Sequence, residues 1–146
     1  MMCVKQNMSA GTRGPRTRKF LLFLLAISLI AAGCSSYASQ SEKNLSKASS
    51  DIAGATYVLE QFGNDEVSGP YTRASLQEYA KSMQKTEKTL QSLQPPPGDE
   101  KQHEQAVGAL SQAQRLVQEA GQEGVSRQEA PELARRLRGF GEELKA

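Results

Sequence analysis

Hydrophobicity along this chain changes character near residue 40. From Phe20 to Gly33 the sequence is a continuous run of 14 apolar or small residues, interrupted only by Ser28. After Ser41 the apolar positions become periodic instead. Leu45, Ile52 and Leu59 recur every seven residues, with Ala48, Ala55 and Phe62 three positions after each. That is an a/d seam, and it predicts a helix from about Glu42 to Phe62. Its d positions are mostly alanine, so a neighbouring helix can come close. Gly54 inside the seam costs about 1 kcal/mol relative to alanine. Gly63-Asn64-Asp65 supplies residues that tolerate the left-handed conformation and so end the helix.

The same rhythm returns twice. Pro70 suits the first turn of a second helix, with Leu76, Met83 and Leu90 at a and Tyr79, Thr86 and Leu93 at d. Its opposite face carries Glu78, Lys81, Lys85, Glu87 and Lys88, a solvated surface with mixed neighbour pairs. Pro95-Pro96-Pro97-Gly98 then stops it, since each proline disfavours helical geometry in the residue before it. Asp99 and Glu100 sit where the positive end of a third helix favours carboxylates. That helix aligns His103, Leu110 and Val117, with Ala106, Ala113 and Ala120 beside them, Val107 and Leu116 widening the stripe, and Gly121 and Gly124 closing it. Ser126-Arg127-Gln128-Glu129 has capping-box spacing, and Pro131 makes a one-turn start ahead of the helix proper. Leu133, Leu137, Phe140 and Leu144 give this last, shorter helix one apolar stripe. Strand-type alternation is nowhere sustained. The expected fold is all-α: a small antiparallel bundle of three longer helices plus a shorter C-terminal helix, joined by short connections.

The early apolar run belongs to a different part of the chain. At 1.5 Å per residue it spans roughly 21 Å, short of the ~30 Å hydrocarbon core of a bilayer. Lys5, Arg13, Arg16, Arg18 and Lys19 precede it, and no acid occurs in the first 33 residues. This is the layout of a secretory signal, with Met8 as an alternative start. Its end, Ile30-Ala31-Ala32-Gly33-Cys34, resembles the lipobox of bacterial lipoproteins, with Ala31 where leucine is commonest. The resemblance implies cleavage between Gly33 and Cys34, signal-peptidase recognition by Ile30, Ala31, Ala32 and Gly33, and acylation of Cys34. Several acyl chains give durable attachment where one does not. Ser35 and Ser36, rather than Asp, follow the cysteine, which in a host with an outer membrane favours export there. An ordinary cleaved signal and an uncleaved anchor are the alternative readings. The expected organisation is a signal peptide over 1–33, a lipidated cysteine and Ser-rich tether over 34–41, and a helical domain over 42–146.

Removing the signal changes the composition. It carries five of the 18 basic residues and none of the 16 acidic ones, so the remainder has 13 against 16, a net charge of −3 rather than +2. Nucleic acid is therefore a poor partner. Cys3 lies in the signal and Cys34 is taken by lipid, leaving no thiol for a disulfide. Leu, Ile, Val and Phe number 18 after residue 33, which predicts a thin core and marginal stability.

Candidate chemistry is sparse. His103 has Asp99, Glu100 and Glu104 nearby, but adjacent helical residues point about 100° apart, and HExxH spacing is absent. A half-buried seam histidine is the plain reading; a metal, small-ligand or pH-sensing role is the alternative. There are many serines but only one histidine to serve as a base, and no free thiol. Arg135, Arg136 and Arg138 form the wet face of the last helix, with contact to anionic headgroups or a phosphate as the alternative. No cofactor is indicated, and an enzyme is not expected.

Cys34, Leu93-Gln94-Pro95-Pro96-Pro97, His103 and the segment from Ser126 to Leu144 together resemble small helical lipoproteins of Bacillus-like bacteria. The present chain has fewer large apolar residues and more Gln and Arg than that pattern. The resemblance implies a fold and a place, the extracytoplasmic face of the cell membrane, without an activity. A non-enzymatic binding module with an envelope protein as partner is the expected function; a ligand- or metal-binding lipoprotein using His103 is the alternative.

Overall fold

The structure is a computed structural model that describes residues 15–145, with side chains described from Tyr37 to Lys145. Ile30, Ala31, Ala32, Gly33 and Cys34 lie outside the described side chains. Four helices follow one another: α1 (Pro15–Gly63), α2 (Gly69–Ser92), α3 (Glu100–Glu123) and α4 (Ala130–Glu143). Among the described residues there is no strand, and the all-α bundle expected from the periodicity is what forms. The chain divides into two units, Met1–Ser35 and Ser36–Ala146. Of the first, the structure describes only the start of the α1 backbone. The second is the helical bundle.

α1 differs from expectation ahead of the seam. Residues 37–41, read from the sequence as tether, are helical and continue into the seam that begins at Leu45. Nothing between Cys34 and Ala53 breaks a helix, since neither glycine nor proline occurs there. Tyr37 is itself half-buried, so packing recruits the polar turn. At its other end α1 closes in a Schellman motif. The Glu66 N–H donates to the Gln61 carbonyl (2.9 Å) and the Asp65 N–H to the Phe62 carbonyl (3.2 Å), with Asp65 left-handed at φ 68°.

Specific contacts fix the neighbours. α1 and α2 run antiparallel: Lys47 donates to the Ser82 hydroxyl (2.5 Å) and Asp51 accepts from it (2.7 Å), while Gly54 lies against Tyr79. α2 and α3 are joined by Gln77 Nε2 donating to the Gly121 carbonyl (2.8 Å). α4 packs on α1 through Pro131 beside Gly63, Gly141 beside Ile52 and an Arg138–Glu60 ion pair. Because α4 is about ten residues shorter than α2 and α3, it leaves the first turns of α3 uncovered by a fourth helix. There α1 and α3 meet directly, at Tyr37 and His103.

The core is thin in large side chains and rich in alanine. Ile52, Leu59, Leu76, Met83, Leu90, Leu110, Val117 and Leu137 are sealed, and Ala48, Ala55, Ala80, Ala109, Ala113, Ala120, Ala130 and Ala134 fill between them. Thr56, Thr72 and Thr86 are also buried. Each donates its hydroxyl to the carbonyl four residues earlier, at 2.8, 3.0 and 3.1 Å. That local bond satisfies a polar group which burial would otherwise penalise by about 1–3 kcal/mol. No buried side-chain nitrogen or oxygen lacks a partner among the described residues.

Candidate functional site

His103 lies one turn into α3, beyond the Pro-rich break. That break is a turn in which the Asp99 N–H donates to the Pro96 carbonyl (3.1 Å), with Pro97 second and Gly98 third at φ +105°. This is the sequence and hydrogen-bond pattern of a type II turn. The Gly98 N–H donates to Glu100 Oε2 at 2.7 Å, which ties that carboxylate to the turn and away from His103. Asp99 and Glu104 are exposed. The acids close to His103 in sequence therefore do not converge on it. Among the described residues no group of three or more His, Cys, Asp or Glu is placed to hold a metal ion.

What His103 meets is an aromatic residue. The Tyr37 hydroxyl lies 3.1 Å from Nδ1, and the two rings are 5.9 Å apart at 56°. With the imidazole proton on Nε2 the phenol donates to Nδ1; with it on Nδ1 the phenol oxygen accepts. Both residues are half-buried. The pair matches the seam histidine expected from the sequence, with a partner from the segment expected to be tether. Its signal was modest: an aromatic residue eight positions before Leu45, one apolar-stripe step outside the seam.

The arginine face is mostly paired. Arg135 meets Glu132 at 2.8 Å and Arg138 meets Glu60 on α1. Arg127, outside that cluster, lies over the Phe62 ring at 5.4 Å and reaches Asp65 Oδ1 at 2.5 Å, fastening the α3–α4 connection to the end of α1. Exposed pairs of this kind contribute about 0–1 kcal/mol each. Lys47, Asp51 and Ser82 make a similar clasp between α1 and α2. There Lys47, as an ammonium, only donates, and the Ser82 proton points at Asp51.

One further feature is a groove of about 200 Å³ between α2 and α3, whose lining is mostly glutamine. α2 supplies Gln77 and Gln84, α3 supplies Gln114, Gln118 and Gln122, and Ala80 forms its floor. Lys81 stands at the edge, paired with Glu78 at 2.7 Å. Gln114 is buried and donates to Gln118 Oε1 at 2.6 Å. The sequence carries the signal for this groove as Gln at i, i+4 and i+8 on one helix facing i and i+7 on the next. Reading α3 for its apolar stripe alone passes over it.

No family model, curated protein or solved structure matches this chain. Among the residues with described side chains, no helix is long and apolar enough to cross a membrane.

Proposed function

We propose that this chain is a lipid-anchored module on the extracytoplasmic face of the cell envelope, and that it works by binding another envelope component rather than by catalysis. The observation that carries this reading is the acid-free, basic leader and apolar run closing on Ile30-Ala31-Ala32-Gly33-Cys34. A compact helical unit starting at Ser36, two residues after the cysteine, supports it, since little chain then separates anchor from domain. Binding is favoured over catalysis by the side-chain inventory. The single histidine is engaged with a phenol, and acylation consumes the only cysteine outside the leader.

Mass spectrometry of the protein purified from its membranes tests the reading. A mature N-terminus at Cys34 carrying acyl mass is the expected result, together with palmitate labelling that Cys34→Ala abolishes. An unmodified N-terminus at any other residue overturns it. In the Cys34→Ala variant the bundle stays folded while membrane attachment is lost; attachment that persists identifies an uncleaved anchor instead.

A further inference from the structure

The glutamine groove has hydrogen-bonding capacity to spare. Gln77 Nε2 is committed to the Gly121 carbonyl and Gln114 Nε2 to Gln118 Oε1. Gln84 and Gln122 make no side-chain hydrogen bond among the described residues, and neither Gln77 Oε1 nor Gln114 Oε1 accepts one. Gln77, Gln84 and Gln122 are exposed, and Gln114, though buried, keeps no fully enclosed polar atom without a partner, so these carbonyls and amides are open to solvent beside the groove. α2 and α3 are antiparallel, and the Gln77–Gly121 bond sets their register. Gln77 therefore stands by Gln122, and Gln84 by Gln114.

Spacing suits an extended peptide. Successive glutamines on α3 are four residues apart, about 6 Å along the helix. An extended peptide repeats every two residues at about 6.6 Å. Over the span from 114 to 122 the two rulers drift by only about 1 Å, so the open groups along α3 stay in step with every second peptide unit. Carboxamides offer both donor and acceptor, as a peptide unit requires. The groove holds no aromatic ring on which a sugar face would stack, and its one charge, Lys81, is neutralised by Glu78. We infer that the α2–α3 groove holds an extended, uncharged peptide segment of a partner through its backbone, read by Gln84, Gln114, Gln118 and Gln122. This deepens the binding role proposed above and rests on it for the partner's location only.

The purified full chain in detergent, with side-chain amides labelled with ¹⁵N, gives the test. The probe is an end-capped eight-residue peptide of Ser, Thr and Val. The expected result is saturable movement of the glutamine amide signals of the groove. Gln84→Ala combined with Gln122→Ala, both exposed positions, should weaken binding about tenfold or more. A peptide N-methylated at alternate units in the contacting register should lose binding. No movement at millimolar peptide overturns the inference. So does binding that survives both N-methylation registers, or movement caused only by a neutral oligosaccharide. Because the measurement needs no acyl group, an unmodified Cys34 would sink the anchoring proposal and leave this result standing.

Discussion

At Asp65 the backbone takes a conformation that an L-residue adopts at a cost, and the Schellman closure of α1 depends on it. Glycine there removes that cost but also the exposed Arg127–Asp65 pair, which contributes little. Asp65→Gly is expected to stabilise the bundle by about 0.5 kcal/mol, and Asp65→Ala to destabilise it by a similar amount. Urea titration separates the two signs. Gly54 works the other way. A β-carbon there would come within 2.5 Å of the Tyr79 ring atoms, so the residue that looks like a flaw in the seam is the seat of a tyrosine. Gly54→Ala should therefore gain nothing in the native sequence but gain about 1 kcal/mol in a Tyr79→Ala background. A double-mutant cycle checks this, and equal effects in both backgrounds would rule out the contact.

At the scale of elements, the turn that leads into α4 is closed by a capping box. The Ser126 N–H and hydroxyl both donate to Glu129 Oε2, at 3.1 and 2.7 Å, and the Glu129 N–H donates back to the Ser126 hydroxyl at 3.3 Å. These bonds, the hydroxyl's first and the backbone N–H's second, hold the Glu129 carboxyl below its ordinary value of 4.5. A carboxyl depressed in the folded state adds stability above its unfolded pKa and loses it as the pH falls through the folded value. Glu129→Gln should therefore weaken the protein at pH 7, and the difference should shrink as the pH is lowered beneath about 4.5. Denaturant unfolding of both proteins across that range gives the measurement.

The capping box was legible in the sequence because four residues specify it locally. The seams were legible too: Leu76, Met83, Leu90, Leu110 and Val117 all fall inside where their spacing puts them. The helical state of residues 37–41 was not, since serines and alanines neither demand nor forbid a helix and only the Tyr37 contact decides. Nor is the burial of Gln114 legible, because a polar residue goes inside only with a partner on the same helix face, which an apolar stripe does not register.

For the whole molecule, the shorter fourth helix is a full member of the core. Leu137 and Ala130 are fully buried and Ala134 nearly so. Leu137→Ala is expected to cost about 2–4 kcal/mol, a large share of the 5–15 kcal/mol typical of a small domain. The loss should appear in one cooperative transition followed by both circular dichroism and tyrosine fluorescence. Separate melting of α4 ahead of α1–α3 would mean that the fourth helix is only appended.

Gly121 has a consequence that reaches past stability. A β-carbon at this position would sit 3.1 Å from the Gln77 backbone nitrogen on the facing helix, an approach that backbone cannot yield to without moving. One absent methyl group therefore sets how near α2 stands to α3. The opposing carboxamides inherit their separation from it, so a residue that touches no ligand acts as the gauge of the aperture.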